Sequence, residues 1–142
     1  MRFMIIRRAD EETEAGVLPS PELLAAMTKY NEELMNAGAF VDGDGLQPSS
    51  KGARVTFSGG KPTVIDGPFA EAKELIAGFT MIDVASKEEA IEWVKGWPAI
   101  DGNGEAEIEI RQVFEADDFG EVFTPELREQ NERLRAQAAD KR

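Results

Sequence analysis

The sequence predicts an α+β fold in which one antiparallel sheet carries two helices on one face. Three observations lead to it. The length of 142 residues suits a single domain. Strand-like and helix-like segments follow each other along the chain, and a Gly-Gly turn joins two short strands in the middle. With that hairpin as an insertion, the order of segments is βαββαβ, the ferredoxin-like plan.

The first strand and the first helix have the clearest local signals. Residues 3–8 begin with an apolar run that is typical of a central strand. Residues 9–19 are acidic and contain glycine and proline, which predicts a mobile loop. Ser20 then supplies a helix cap and Pro21 the first helical residue. Apolar residues recur every three or four positions until Gly38 ends the helix.

The middle of the chain predicts strands and turns. A short strand at 39–41 leads into a glycine-rich turn, and the hairpin pairs residues 54–57 with residues 63–66. One helical turn is expected within residues 70–75, followed by a strand at 77–84.

The last third predicts a helix, a strand and a tail. Ser86 and Glu89 form a capping box for a second helix, which Pro98 ends. Residues 105–114 alternate as in a strand with one polar face. We therefore expect a ferredoxin-like domain over 1–114, and an acidic linker with a C-terminal helical extension over 115–142.

Composition excludes several classes of function. The chain has no histidine and no cysteine, so it lacks a disulfide framework, a thiol nucleophile, a Cys/His zinc site and an imidazole base. Its net charge of −12 argues against nucleic acid as a partner. The apolar runs are too short for a signal peptide or a membrane span, which predicts a cytoplasmic protein without a membrane partner. Neither the Asp-Gly loops nor the glycine motifs have calcium-loop or nucleotide-binding spacing, so no metal and no cofactor are expected.

The run from residue 64 to residue 74, Val-Ile-Asp-Gly-Pro-Phe-Ala-Glu-Ala-Lys-Glu, resembles the signature of DGPF proteins in the YCII-related family. Shorter pieces continue the resemblance in the same order over residues 1–114. They are Asn31–Leu34, Gly45–Pro48, Gly78-Phe79, Ile82–Val84, Glu92-Trp93 and Ile108–Arg111. The resemblance implies a ferredoxin-like subunit of a dimeric α/β barrel, with a cleft between sheet and helices. It implies no reaction, and the His–Asp pair proposed as catalytic in some relatives has no counterpart in a chain without histidine.

Four residues are candidates for function, and each has a structural alternative. Asp66 is the candidate catalytic residue, as a general base, or else its carboxylate accepts hydrogen bonds from backbone amides in a turn. Lys73 could bind an anionic ligand or form a solvated ion pair. Arg111 could bind a carboxylate or phosphate, or pair with a charge on a neighbouring strand. Tyr30 could place its hydroxyl at the rim of the cleft or simply pack in the core.

The functional prediction is a homodimer that binds a small organic ligand in a cleft near the corner formed by Asp66–Phe69. The first alternative is a cofactor-free isomerase, lyase or oxygenase that uses Asp66 as a base in a partly desolvated cleft. The second is an accessory or regulatory protein that acts through protein contacts, with the acidic tail helix as its main feature. For the dimer, we expect apolar residues of the tail to become buried, against the partner subunit or elsewhere. These residues are Phe119, Val122 and Phe123.

Overall fold

Four strands form one antiparallel sheet in the structure, a computed structural model that describes residues 1–141. The strands within these residues are β1 (Arg2–Arg8), β2 (Phe40–Gly45), β3 (Ala53–Ser58), β4 (Lys61–Asp66), β5 (Ile76–Asp83) and β6 (Ile108–Gln112). The order in the sheet is β2-β5-β1-β6, and β3 pairs with β4 in a separate hairpin. This order confirms the ferredoxin-like plan with an inserted hairpin.

Two of the helices cover one face of the sheet. The α-helices are α1 (Glu11–Glu14), α2 (Pro21–Asn36), α3 (Lys87–Lys95) and α4 (Pro125–Asp140). Side chains alternate along β1, so Phe3 and Ile5 are buried against the helices. They share a core with Leu34 of α2, Ala90 of α3 and Ile82 of β5, which confirms the predicted arrangement of helices.

The structure corrects two predicted segments. Residues 9–19 were expected to be a loop, but α1 lies within them. The Asp10 carboxylate accepts a hydrogen bond from the Thr13 amide, and the Thr13 hydroxyl accepts one from the Asp10 amide. A helix of four residues is too short for apolar periodicity to reveal it.

The second correction concerns β2, which continues to Gly45 although residues 42–45 were predicted as a turn. The glycines allow close approach to β5, because a Cβ atom on Gly43 would lie 3.0 Å from the Phe79 carbonyl oxygen. At the other edge of the sheet, β6 begins at Ile108, three residues after the predicted start.

Contacts divide the chain into two compact units, with the boundary between Gln112 and Val113. In the second unit, the ring of Phe119 stacks on Phe114 at a centroid distance of 4.8 Å. The predicted C-terminal helix is α4, and Thr124 caps it by accepting a hydrogen bond from the Leu127 amide. None of the helices described in residues 1–141 is both long enough and apolar enough to span a membrane.

Candidate functional site

The first unit contains an open cavity of about 1200 Å³, somewhat larger than typical pockets for drug-sized molecules. One wall is α1 with the loop that follows it, and a second is α2. The remaining lining comes from the end of β2 with the residues up to 51, from the first half of β5, and from residues 97–103. The cavity therefore lies between the sheet and the helical layer.

The cavity forms because the helix-facing surface of the sheet has few side chains at this end. Gly78 of β5 pairs with Arg7 of β1 and with Gly45 of β2, and Thr80 pairs with Gly43. Residues directly opposite each other in neighbouring strands share a face of the sheet. Glycines therefore occupy positions that larger side chains fill elsewhere in the core. The residues that line the cavity at this end of the sheet are Arg7, Gly43, Gly45, Gly78 and Thr80.

A buried ion-pair cluster closes one end of the cavity. Arg7 donates to Asp101 through two nitrogens, Nε to Oδ2 at 3.0 Å and Nη2 to Oδ1 at 2.9 Å. Nη2 also donates to Asp10 Oδ2 at 3.1 Å, and Nη1 donates to the Arg8 carbonyl oxygen at 2.5 Å. Trp97 Nε1 adds a third hydrogen bond to the Asp101 carboxylate, at 2.8 Å to Oδ2. The guanidinium is thus held in one orientation by protein acceptors.

These contacts determine the charge of the cluster. Burial alone would raise the pKa of Asp101, but hydrogen bonds from Arg7 and Trp97 and the positive charge of Arg7 outweigh it and lower the pKa. For Asp10, burial likewise raises the pKa, but hydrogen bonds from Thr13 and Arg7 lower it overall. Both carboxylates are therefore ionised at neutral pH. These two carboxylates are better suited to orienting a bound ligand than to abstracting a proton, because a base with a lowered pKa is weak.

Asn31 of α2 is one of the polar residues that line the cavity. Its Oδ1 atom is buried and has no hydrogen-bond partner within the described part of the chain. A buried acceptor left without a donor costs free energy. This atom is not accessible from the cavity, so the Asn31 side chain would have to turn before a ligand donor could reach it. Apolar side chains from α2 and from residues 97–100 surround this polar region, including Met27 and Trp97.

The Asp66–Phe69 corner lies behind one wall of the cavity. The Phe69 amide donates to Ser49 Oγ at 3.0 Å, and Ser49 Oγ donates to Glu14 Oε2 at 2.5 Å. The neighbours of Ser49 in the chain, Pro48 and Ser50, line the cavity. Asp66 itself is exposed at the end of β4 and is not part of the lining.

The other three candidate residues also lie outside the cavity lining. Lys73 is exposed, and its backbone carbonyl accepts a hydrogen bond from Arg8. Arg111 is exposed and forms an ion pair with Glu109 at 3.2 Å. Tyr30 is buried in the core, where its hydroxyl donates to the Trp93 carbonyl oxygen at 2.6 Å. In the single chain, the four candidates are not brought together at one site.

Sequence reasoning missed most of the polar groups that do meet at the cavity. Asp101 was interpreted as part of a turn, and Asn31 as part of the family resemblance. Arg7 could have indicated the cluster from the sequence. Side chains alternate along β1, so Arg7 faces the helices, as Phe3 and Ile5 do. A charge on the apolar face of a strand requires a buried partner.

Comparison with known proteins places this fold in a family. A family model for the YCII-related domain matches residues 1–117. An uncharacterised protein of Rhizobium meliloti (strain 1021) is 39% identical over 74 residues, which are 52% of this chain and 56% of that protein. The chain thus spans little more than half the length of the curated relative that it matches.

A solved structure of 5-chloro-2-hydroxyhydroquinone dehydrochlorinase from Burkholderia phenoliruptrix AC1100, in complex with 2,5-dihydroxybenzoquinone, is also similar, with 16% identity and a TM-score of 0.43. The match covers 80% of this chain and 94% of that one. Since the family model covers more than three quarters of the sequence, the chain belongs to the YCII-related family.

Proposed function

We propose that this protein binds a small organic molecule in the cavity between α2 and the sheet. The observation that carries the proposal is the cavity itself, where glycines replace core side chains on the helix-facing side of the sheet. Apolar walls with a few fixed polar groups are the usual composition of small-molecule sites.

A cavity-filling variant tests the proposal. A Cβ atom at Gly45 would meet no atom within 4 Å, so Gly45→Leu should extend into the cavity without disturbing the strand. We expect fragments that shift the NMR amide signals of cavity residues in the unmodified protein to bind at least about tenfold more weakly to Gly45→Leu. Ala25→Leu, on the exposed side of α2, is the control. A fragment library without any hit in the cavity, or equal binding to Gly45→Leu, would contradict the proposal.

We also propose a cytoplasmic homodimer. The sheet face opposite the helices carries pairs of partly exposed apolar side chains, Met4 beside Met81 and Ile6 beside Phe79. A sheet face of this kind is stabilised when a second layer covers it, and a second copy of the chain would do so. Light scattering at micromolar concentration should give twice the chain mass, and a monomer would refute the dimer.

An enzyme that uses Asp66 as a general base is the alternative, and the link from Phe69 through Ser49 to the cavity wall favours it. In the single chain the Asp66 carboxylate is exposed, so the desolvation that a carboxylate base needs has to come from a bound ligand or a second subunit. Once a substrate is found, Asp66→Asn should reduce turnover by about a hundredfold or more. Unchanged turnover would exclude this role.

A further inference from the structure

The only guanidinium that lines the cavity, among the described residues, is poorly placed to bind an anion. The Arg7 side chain is 10% exposed, and four of its hydrogen bonds go to protein acceptors. A guanidinium has five N–H donors, so one remains for a ligand. Two carboxylates already neutralise its charge. A carboxylate or phosphate ligand would therefore gain little from Arg7 and would be repelled by Asp10 and Asp101.

The cluster instead has one excess negative charge. It contains one guanidinium and two carboxylates, and the Asp10 side chain is 38% exposed while those of Arg7 and Asp101 are 10% exposed each. Asp10 therefore offers an accessible, charged acceptor at this end of the cavity. The lining as a whole has the same sign. Apart from Asp44, which shares the far face of the sheet with Phe79, it has four anionic residues and two cationic ones.

Neutral polar side chains also line the cavity, among them Asn31 and Gln47. Asn31 Oδ1 is a buried acceptor that no described residue satisfies. The lining also has apolar side chains from α2, with Leu23 and Met27 as examples. The site therefore combines acceptors, negative charge and apolar surface.

We infer that the cavity selects an organic cation with N–H donors, namely a protonated amine attached to an apolar body, over a neutral or anionic molecule of the same size. This inference rests on the proposed ligand-binding function and adds the chemical class of the ligand. The ammonium group would lie beside Asp10, and the apolar body would contact the side chains of α2 and β5.

Three probes of similar size test the inference: phenethylamine, 2-phenylethanol and 3-phenylpropionate. Titrations followed by NMR at low ionic strength should show the amine binding at least about tenfold more tightly than the alcohol, and the carboxylate most weakly. Asp10→Asn keeps an oxygen that can cap α1 but removes the charge, so it should reduce amine binding about tenfold and leave alcohol binding unchanged. Glu11→Gln removes a neighbouring charge outside the lining and should not alter the preference.

Equal binding of amine and alcohol, or tighter binding of the carboxylate, would overturn the inference. The proposed function would survive that result, because cavity signals would still shift. If none of the three probes shifts these signals while other library fragments do, the charge preference alone is overturned. If no fragment of any class binds in the cavity, both the inference and the proposed function fail.

Discussion

Gly67 in the Asp66–Phe69 corner is the glycine of the first unit least able to accept a side chain. A Cβ atom there would lie 1.8 Å from the Ser49 carbonyl oxygen and 2.6 Å from the Ser49 carbonyl carbon. In Gly67→Ala the corner and the Ser49 segment must separate until the closest contact rises from 1.8 Å to at least 3.0 Å. Both sides of this contact are backbone, so no side-chain rotation can relieve it.

The free-energy cost of this separation comes from the hydrogen bonds that it breaks and from overpacking. The Gly67 amide donates to the Gly52 carbonyl oxygen at 3.0 Å, and the Phe69 amide donates to Ser49 Oγ at 3.0 Å. Losing both hydrogen bonds costs about 1 kcal/mol each, and the overpacking adds roughly 1–3 kcal/mol. We expect Gly67→Ala to destabilise the docked corner by at least about 3 kcal/mol, a factor of at least about 150 in the local opening equilibrium.

Hydrogen exchange is the appropriate assay, because a two-stranded hairpin can detach without unfolding the rest of the domain. Amides of β3 and β4 should exchange about a hundredfold faster in Gly67→Ala, while those of β1 stay protected. Gly45→Ala is the matched control, since its Cβ atom would have no neighbour within 4 Å. The reasoning would be refuted if the two variants had the same exchange rates in the hairpin.

Further predictions concern the buried polar groups. Asp101→Ala removes the bidentate partner of Arg7 and should lower the free energy of unfolding by about 3 kcal/mol in urea denaturation; an unchanged midpoint would contradict this. The pKa values of Asp10 and Asp101 are lowered in the fold, so the stability that they contribute is complete above about pH 4 and is lost as the pH falls through the lowered values. The urea concentration at the unfolding midpoint should therefore decrease as the pH is lowered below about 4, and it should decrease less steeply in Asp101→Asn. The same pH dependence in both proteins would argue against this role of Asp101. Burial, together with the charge of Glu33, raises the pKa of Tyr30, the sole tyrosine, to about 12. The stability that Tyr30 contributes should be lost as the pH rises from its ordinary pKa of 10.0 to about 12. Phenolate absorbance that appears near pH 10 in the folded protein would disprove this.

Local signals predicted the elements of the fold well, because caps and periodicity act over a few residues. Ser20 accepts a hydrogen bond from the Leu23 amide, and Pro21 begins α2, as expected. The cavity could not be predicted in this way. Arg7 and Asp101 are 94 residues apart in sequence, and only the strand register and the chain path after α3 bring them together. The charge of Asp101 was visible, but its burial was not.

The same distinction applies to the Asp-Gly-Pro-Phe segment, whose residues have separable roles. Asp66 is exposed and lies outside the cavity lining, whereas Gly67 and Phe69 contact Ser49, which connects the corner to Glu14 and the cavity wall. If the segment acts by positioning that wall, Gly67→Ala should weaken ligand binding more than Asp66→Asn does. If Asp66 is a general base, Asp66→Asn should reduce turnover by about a hundredfold or more and leave binding nearly intact. Measuring binding and turnover in both variants therefore separates a structural corner from a catalytic one.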